Sequence, residues 1–321
     1  MKRIGLITSG GDAPGMNAAI RGVVRAALGR GAEVMGFLHG YQGIIDKEVT
    51  PLDTRAVGGI IAIGGTILRT ARCKPFMTKE GRDLAVSNLR ELGIEGLVVI
   101  GGDGSLTGAR CLWEEYQYPV IGVPGSIDND ISGTDFSIGF DTAVNTALDA
   151  IDRVRDTAYS HERIFCIEVM GRRNGHIAVE VGLAGGAEAV LIPEVPFSLL
   201  DICESMRRMQ EMGKRSSIII VAEGAARASD VKDFIQKNLP NSEARYLVLG
   251  HMQRGGSPTA FDRVLALRLG AMAANRLLSG FSGEMVGMVS GKMVWHPISY
   301  VLSTERQVDA EKLLLVDVMS N

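Results

Sequence analysis

The sequence predicts an α/β protein of two lobes, with mainly parallel sheets covered by helices. Three observations carry that prediction. Short apolar, β-branched runs alternate with amphipathic helical patterns along the whole chain, the order expected of parallel strands with helices packed on both faces. Several of those runs end in glycine-rich turns, as strands do where they hand over to a helix in an open sheet. The chain has 321 residues, enough for two cores of ordinary size.

The elements follow in order. Ile4–Thr8 reads as a strand, and Ser9-Gly10-Gly11-Asp12-Ala13-Pro14-Gly15 as the turn that ends it. A helix is expected from about Met16 to Leu28, with Ala19, Ile20, Val23, Val24 and Ala27 on one side. Val34–Leu38 is the next strand, and its exit Gly40-Tyr41-Gln42-Gly43 reads as a loop. Two further helical patterns precede the central strand, the second of them the amphipathic Lys79–Leu92. Leu97–Ile100 reads as a buried parallel strand. Beyond it Leu106, Ala109, Leu112 and Trp113 have helical spacing, with Ser105 as the expected N-cap. Val120–Val123 is a strand, followed by a loop from Pro124 to Ser137. The long helix after it places Phe140, Ala143, Val144, Ala147, Ile151 and Val154 on one face. Ile164–Val169, Val190–Ile192, Ile218–Val221 and Leu247–Leu249 read as later strands, and the long loop suggests a change of lobe near Gly139.

Composition narrows the function. Hydrophobic residues make up 46% and charged residues 22%, ordinary for a soluble globular chain. A net charge of -3 speaks against non-specific nucleic-acid binding, so an anionic ligand must be met by local arginines. Cys73, Cys111, Cys166 and Cys203 are scattered, with no CxxC pair and no HExxH, so no zinc site is expected and a reducing cytoplasm is. Met1-Lys2-Arg3 leads straight into a strand, which does not read as a signal peptide, and no apolar run reaches membrane-spanning length.

Four stretches carry chemistry. Gly101-Gly102-Asp103-Gly104-Ser105 joins the carboxyl end of a strand to the start of a helix. Glycines there let the backbone approach a polyanion, and free amides at a helix start favour phosphate. A carboxylate in such a turn repels phosphate unless a cation lies between them, so Asp103 suggests a divalent metal bridging to a nucleotide. A tight βα turn whose Asp caps its own backbone is the other reading. Ser9-Gly10-Gly11-Asp12 offers a second backbone surface, although it matches neither a Walker loop nor a GxGxxG fingerprint. Gly64-Gly65 followed by Arg69 and Arg72 sets arginines after another glycine pair, either to bridge phosphate oxygens or to stand in solvent. Pro124-Gly125-Ser126-Ile127-Asp128-Asn129-Asp130 places two carboxylates at a strand exit, one able to take a proton from an alcohol and the other to help hold metal-bound water. An Asx turn is the plain alternative.

Together these stretches resemble the bacterial ATP-dependent 6-phosphofructokinase family. The resemblance is carried by Ile4-Gly5-Leu6-Ile7-Thr8-Ser9-Gly10-Gly11-Asp12-Ala13-Pro14-Gly15-Met16-Asn17, by Gly101–Ser105 and by Ile127-Asp128-Asn129-Asp130. Met170-Gly171-Arg172, Val221-Ala222-Glu223-Gly224 and Leu249-Gly250-His251-Met252-Gln253-Arg254-Gly255-Gly256-Ser257-Pro258 agree, so the likeness runs from Lys2 to about Gly291. It implies two Rossmann-like lobes. The larger, ATP-binding lobe would take residues 1–138 and about 251–301, and the smaller, fructose 6-phosphate-binding lobe about 139–250 and 302–321.

The resemblance also implies roles. Gly11, Tyr41, Arg72, Cys73, the turn Gly102, Asp103, Gly104, Ser105, and Gly108 would surround ATP. Asp103 would bind Mg²⁺, with Asp130 close by. Asp128 would be the general base for the sugar's 1-hydroxyl, with Ser126 and Ile127 beside it, and Arg72, Arg172 and Gly11 would attend the transferring phosphoryl group. Met170, Gly171, Arg172, Glu223, His251, Met252, Gln253 and Arg254 would hold the sugar phosphate. Arg163 and Arg245 would reach it from a neighbouring subunit of a homotetramer with shared active sites. Effectors, ADP and phosphoenolpyruvate, would meet Arg21, Arg25, Arg55, Arg155, Gly186, Glu188, Lys214 and Arg215.

Some positions depart from the family's usual pattern. Ser126 stands for a common threonine and Cys73 for a common aromatic residue. Thr54, Gly59 and Met212 replace a usual arginine, aspartate and basic residue, which implies a weakened effector site. Gly104 favours ATP over the pyrophosphate-dependent branch, where aspartate is typical at that position. A non-catalytic sugar-phosphate sensor is the reading from outside the enzymes, and Asp128 is the residue it leaves without a purpose.

Overall fold

A computed structural model of the chain describes residues 1–320. β1 (Arg3–Ser9) is buried along all but its first residue, because it lies inside a seven-stranded sheet and carries apolar or small side chains on both faces. Parallel to it on one side lies β2 (Glu33–Phe37), which pairs antiparallel with the short β3 (Val49–Pro51). On the other side come β4 (Leu97–Gly101) and β5 (Val120–Pro124), both wholly buried, then β10 (Glu284–Val289) and the antiparallel β11 (Lys292–Pro297). The antiparallel pairs stand at the two edges, so the interior strands are all parallel.

Helices cover this sheet. α1 (Met16–Gly29) and α9 (Ala260–Leu278) cross with backbones in close approach: a Cβ at Gly22 would lie 2.6 Å from the Leu267 carbonyl oxygen. α3 (Lys79–Glu91) starts at Thr78, whose hydroxyl accepts a hydrogen bond from the Gly81 amide. These elements belong to a first unit, residues 1–142 and 254–306.

The second unit comprises residues 143–253 and the chain from Gln307 onward. Its sheet is fully parallel, in the order β7 (Ala189–Leu191), β8 (Ser217–Ala222), β6 (Arg163–Val169), β9 (Glu243–Val248). Ile164, Cys166, Ile219 and Val221 form its core with Val231 and Ile235 of α8 (Ala228–Asn238) and Cys203 and Met206 of α7 (Leu199–Glu211). α6 (His176–Ala184) packs against β8 and against the helix Ala310–Ser320. α5 (Phe140–Ser160) carries the chain from one unit to the next, and all its expected core residues are buried except the half-buried Val154. The unit boundaries fall a few residues from those expected, because Thr142 is tied to Asp262 and Arg306 to Thr134 and Asp135, all within the first unit.

Several expectations need correcting. Tyr41 opens not a loop but the short helix α2 (Tyr41–Asp46), which buries Tyr41 and Ile44; six residues between turns show too little periodicity to read. Between α2 and α3 the chain forms β3 and two 3₁₀ turns, Ile60–Ala62 and Pro75–Met77. Ser105 is not the N-cap of α4 (Asp103–Tyr116): extended Gly102 is, and its carbonyl accepts from the amides of Ser105 and Leu106. β9 begins four residues earlier than its apolar segment, because an edge strand tolerates Glu243 and Arg245. The β10–β11 hairpin escaped the apolar pattern. Its signal was Ser290-Gly291, both at positive φ (49° and 75°), the two-residue turn that fits strand twist.

Candidate active site

The carboxyl ends of β1, β4 and β5 lie side by side, with Ser9 registered on Gly101 and Gly101 on Pro124. Three loops therefore leave the sheet next to one another, the usual ligand position in an open α/β sheet. They line a cleft of about 570 Å³ within the first unit. Gly10 and Gly11 come from the first loop, Gly102 to Ser105 from the second, and Gly125 to Asp128 from the third, with Tyr41, Arg72, Cys73 and Arg254 also in the wall.

Each loop has a local cause. Gly10 has φ 85°, a left-handed conformation that glycine adopts freely. Gly11 leaves room for Arg254: a Cβ there would overlap the guanidinium, whose Nη1 donates to the Asp12 carbonyl at 3.4 Å. In the second loop, exposed Asp103 sits in the first turn of α4, where the helix dipole favours a carboxylate. A Cβ at Gly104 would meet nothing within 4 Å, so this position opens onto the cleft. Ser105 is buried, and among the described residues nothing bonds its Oγ.

Tyr41 braces the second loop from behind. Its hydroxyl donates to the Ser105 carbonyl at 2.7 Å, and its ring stacks on Phe76 with centroids 4.0 Å apart. Burial, assisted by the Cys111 thiol, holds the phenol pKa well above its ordinary 10.0, so Tyr41 remains a donor. Gly108 makes this packing possible, since a Cβ there would lie 2.7 Å from the Tyr41 ring. Burial likewise pushes the Cys73 thiol upward, so it faces the cleft uncharged. Arg72 is exposed in the same wall.

The third loop holds the paired carboxylates. Ser126 Oγ donates to Asp130 Oδ1 at 3.1 Å and accepts from the Asp128 amide at 3.3 Å. Asp128 lines the cleft, whereas Asp130 stands behind it on Ser126. Ile127 is 2% exposed and anchors the loop in the core. Between the carboxylates, Asn129 is buried at φ 53°, and its Oδ1 accepts from the Ser137 amide and hydroxyl. Sequence reasoning passed over Asn129, Ser137 and Arg306, which together shape this loop. The one available signal was an Asn between two carboxylates, since Asn tolerates the left-handed region.

Among the described residues no three His, Cys, Asp or Glu side chains gather around a metal position. Mg²⁺ does not require such a cage; it is commonly held by one or two carboxylates, with ligand phosphates and water completing its shell. An exposed carboxylate at a glycine-lined helix start has the right donor chemistry, so Asp103 fits the ion directly and Asp130 fits an outer position.

The second unit carries its own candidates at strand exits. Met170 follows β6, and its amide donates to Oε1 of Gln253 at 2.7 Å. Gln253 is fully buried, so its side chain holds the Met170 backbone rather than facing solvent. Gly171 has φ 136°, and Arg172, Glu223, His251 and Met252 are exposed nearby in sequence from the ends of β6, β8 and β9. Arg163 and Arg245 are brought together by a residue that sequence reasoning missed. Glu243 accepts from Arg163 Nε at 2.7 Å and also pairs with Arg245. Hydrogen bonding to Arg163 holds the Glu243 carboxyl below its usual value.

The candidate effector residues lie in two groups. In the first unit Arg21 donates to the Val57 carbonyl at 2.6 Å and Arg25 to that of Thr54 at 3.5 Å, while Arg55 is exposed. Gly59 has φ 72° and open space beside it. In the second unit Arg155 bonds the Gly185 and Gly186 carbonyls, Lys214 pairs with Glu188 at 2.7 Å, and Arg215 pairs with Glu162 at 3.1 Å. Met212 is 74% exposed.

Fold and cleft together define an open α/β protein shaped for a phosphate-bearing ligand at its strand exits. The chain belongs to the phosphofructokinase family, whose sequence profile matches residues 3–277. It is 56% identical to ATP-dependent 6-phosphofructokinase 1 of Thermus thermophilus over the whole of both chains. It is 55% identical to ATP-dependent 6-phosphofructokinase of Bacillus subtilis, over 96% of each chain. Among solved structures it resembles phosphofructokinase from Pichia pastoris in the T-state, with a TM-score of 0.89 and 39% identity. That match covers 94% of this chain and 35% of the longer yeast chain. The fold is shared with pyrophosphate-dependent phosphofructokinase from Marinobacter aquaeolei, with a TM-score of 0.85, 24% identity, and coverage of 97% of this chain and 86% of the other. Among the described residues no helix is long and apolar enough to cross a membrane.

Proposed function

We propose that this chain transfers the terminal phosphoryl group of ATP to the 1-hydroxyl of fructose 6-phosphate, yielding fructose 1,6-bisphosphate in glycolysis. One observation carries the reading: a single cleft joins two glycine turns, an open Gly104 and the Asp128 loop. The relatives that match the full chain, at 53–56% identity, are ATP-dependent 6-phosphofructokinases, which supports ATP as donor.

In this reading the backbone at Gly11 and Gly102 to Ser105 cradles the phosphate chain, with Tyr41, Cys73 and Gly108 in the supporting wall. Asp103 would hold Mg²⁺, with Asp130 at an outer position behind Ser126. When bound, the ion neutralises charge on the terminal phosphates. Asp128 accepts the proton of the 1-hydroxyl as the new P–O bond forms and the bond from the terminal phosphorus to the ADP oxygen breaks, releasing ADP, and Ser126 sets the carboxylate's loop. Arg72 and Arg172 spread the charge of the transferring group, since phosphoryl transfer depends on alignment and neutralisation more than on covalent help. Met170, Gly171, Glu223, His251, Met252 and Arg254 bind the sugar phosphate. Gln253 contributes by holding the Met170 backbone.

The reading extends to a homotetramer in which Arg163 and Arg245, gathered by Glu243, serve the 6-phosphate in a neighbouring subunit's site. ADP and phosphoenolpyruvate act as effectors at the groups around Arg21, Arg25, Arg55, Arg155, Gly186, Glu188, Lys214 and Arg215. Internal pairing of Lys214 and Arg215, with Thr54, Gly59 and Met212 in place of usual polar partners, supports weak effector binding. A cytoplasmic location belongs to the same reading and suits four free thiols. The decisive experiment is a coupled assay with fructose 6-phosphate and either ATP or pyrophosphate. Turnover with ATP alone is expected; turnover with pyrophosphate alone would move the chain to the other branch, and turnover with neither would leave a sensor.

A further inference from the structure

Arg306 lies beyond the residues matched by the family profile, yet its guanidinium reaches the loop that carries the paired carboxylates. Nη1 donates to the Thr134 carbonyl at 2.5 Å and to Asn129 Oδ1 at 3.4 Å, and Nη2 donates to the Asp135 carbonyl at 2.6 Å. Asn129 Nδ2 donates to that same Asp135 carbonyl at 3.2 Å. One planar fork thus ties Asn129 to the Thr134 and Asp135 carbonyls, in a loop also held by the Ser137 hydroxyl on the Ser126 carbonyl and the Asp135 amide on the Met288 carbonyl. Only a guanidinium offers several donors in this fixed spread.

What the fork holds is a left-handed residue. Asn129 has φ 53° and is 3% exposed, a backbone reversal that Asn tolerates and that its bonds to Ser137, Asp135 and Arg306 hold in place. Asp128 and Asp130 are its chain neighbours, so the reversal at Asn129 decides where both carboxylates point. Burial lowers the Arg306 pKa from its ordinary value, and the Asp135 and Asp130 carboxylates only partly oppose it.

We propose that Arg306 is a positioning residue for phosphoryl transfer: through Asn129 and the Thr134 and Asp135 carbonyls it fixes the left-handed turn that aims Asp128. This rests on the reading of Asp128 as general base. A displacement of about 1 Å in such a group costs up to ~10²-fold in rate, so removing the fork should act on turnover.

The test compares the full-length enzyme with Arg306→Ala and Arg306→Lys. Arg306→Ala is expected to lower kcat at least ~10-fold with KM for ATP changed less than ~2-fold. Added guanidinium ion should restore part of the kcat, and Arg306→Lys should restore less than the native arginine, because an ammonium cannot span the two carbonyls. Hydrogen exchange of the Ser137 amide, which Asn129 protects, should quicken in both variants. Unchanged kcat in Arg306→Ala, or equal losses in kcat and ATP affinity with no rescue, would overturn the proposal. Should the parent enzyme itself not phosphorylate fructose 6-phosphate, the functional reading fails. Ser137 exchange then decides the Arg306 proposal: unaltered exchange overturns it, and quickened exchange upholds the loop-holding part. Arg306→Lys keeps a cation at the site and so carries the comparison if the alanine variant does not fold.

Discussion

Ser126 Oγ donates a hydrogen bond to Asp130 Oδ1 across 3.1 Å, and the same oxygen receives the Asp128 amide. One hydroxyl therefore separates two carboxylates that the chain places only two residues apart. Asp128 is left lining the cleft, and Asp130 is drawn behind it. The proposed division of labour between base and metal partner starts from this bond.

Asp128→Asn keeps the shape of that loop and removes its proton acceptor. Turnover should fall by at least ~10²-fold, the usual scale for a general base. Fructose 6-phosphate affinity, measured by equilibrium titration, should stay within about twofold, because the amide removes a transition-state contact rather than a binding one. A variant with near-native turnover would take Asp128 out of the base role.

Gly104 and Gly108 make opposite predictions although they sit one helical turn apart. At Gly104 an aspartate would project into the cleft unhindered. Two charges 4 Å apart at a protein surface repel by roughly 4 kcal/mol, against about 1.4 kcal/mol for a tenfold change in binding. Gly104→Asp should thus raise KM for ATP at least ~10-fold while fructose 6-phosphate binding holds. Unchanged ATP affinity would place the phosphate chain elsewhere.

Gly108→Ala forces a methyl against the Tyr41 ring, which the Ser105 carbonyl and Phe76 hold in place. Overpacking of this kind costs ~1–3 kcal/mol, more than the ~1 kcal/mol that alanine gains over glycine inside a helix. Thermal unfolding should show Gly108→Ala less stable than the parent and Gly104→Ala not. A Gly108→Ala protein more stable than the parent would mean that the ring yields.

Asp262 supplies a pH prediction. It is fully buried in α9, and its carboxylate accepts from the Gly139 amide and from the Thr142 amide and hydroxyl. Burial nonetheless wins over those bonds and pushes its pKa from 3.8 up to about 6. Ionisation is therefore harder folded than unfolded. Its stabilising contribution is complete below pH 3.8 and is lost as pH rises through about 6. Asp262→Asn does not titrate. The stability of the parent relative to this variant should fall by ~3 kcal/mol between pH ~3.5 and ~7, measured by urea unfolding. A difference independent of pH would show that the bonds to Gly139 and Thr142 offset burial completely.

The sequence by itself determined the alternation of strands and helices, the parallel sheets, and the glycine turns at the ends of β1 and β4. Those features are set locally, by apolar runs that must be buried on both faces and by backbone that only glycine allows at close quarters. The motif order also carried the family. What it left open were positions whose identity depends on distant partners. Tyr41 read as loop because six residues show no period, and Ser105 read as a cap because a serine before an apolar helix usually is one. Neither signal contains the Tyr41 hydroxyl on the Ser105 carbonyl, 64 residues apart in sequence. Glu243 between Arg163 and Arg245 is a matter of strand register, and Arg306 on the Asn129 loop spans 177 residues. Only the folded chain brings such groups together, because hydrogen bonds and close packing are made in space, whereas a sequence records spacing along the backbone alone.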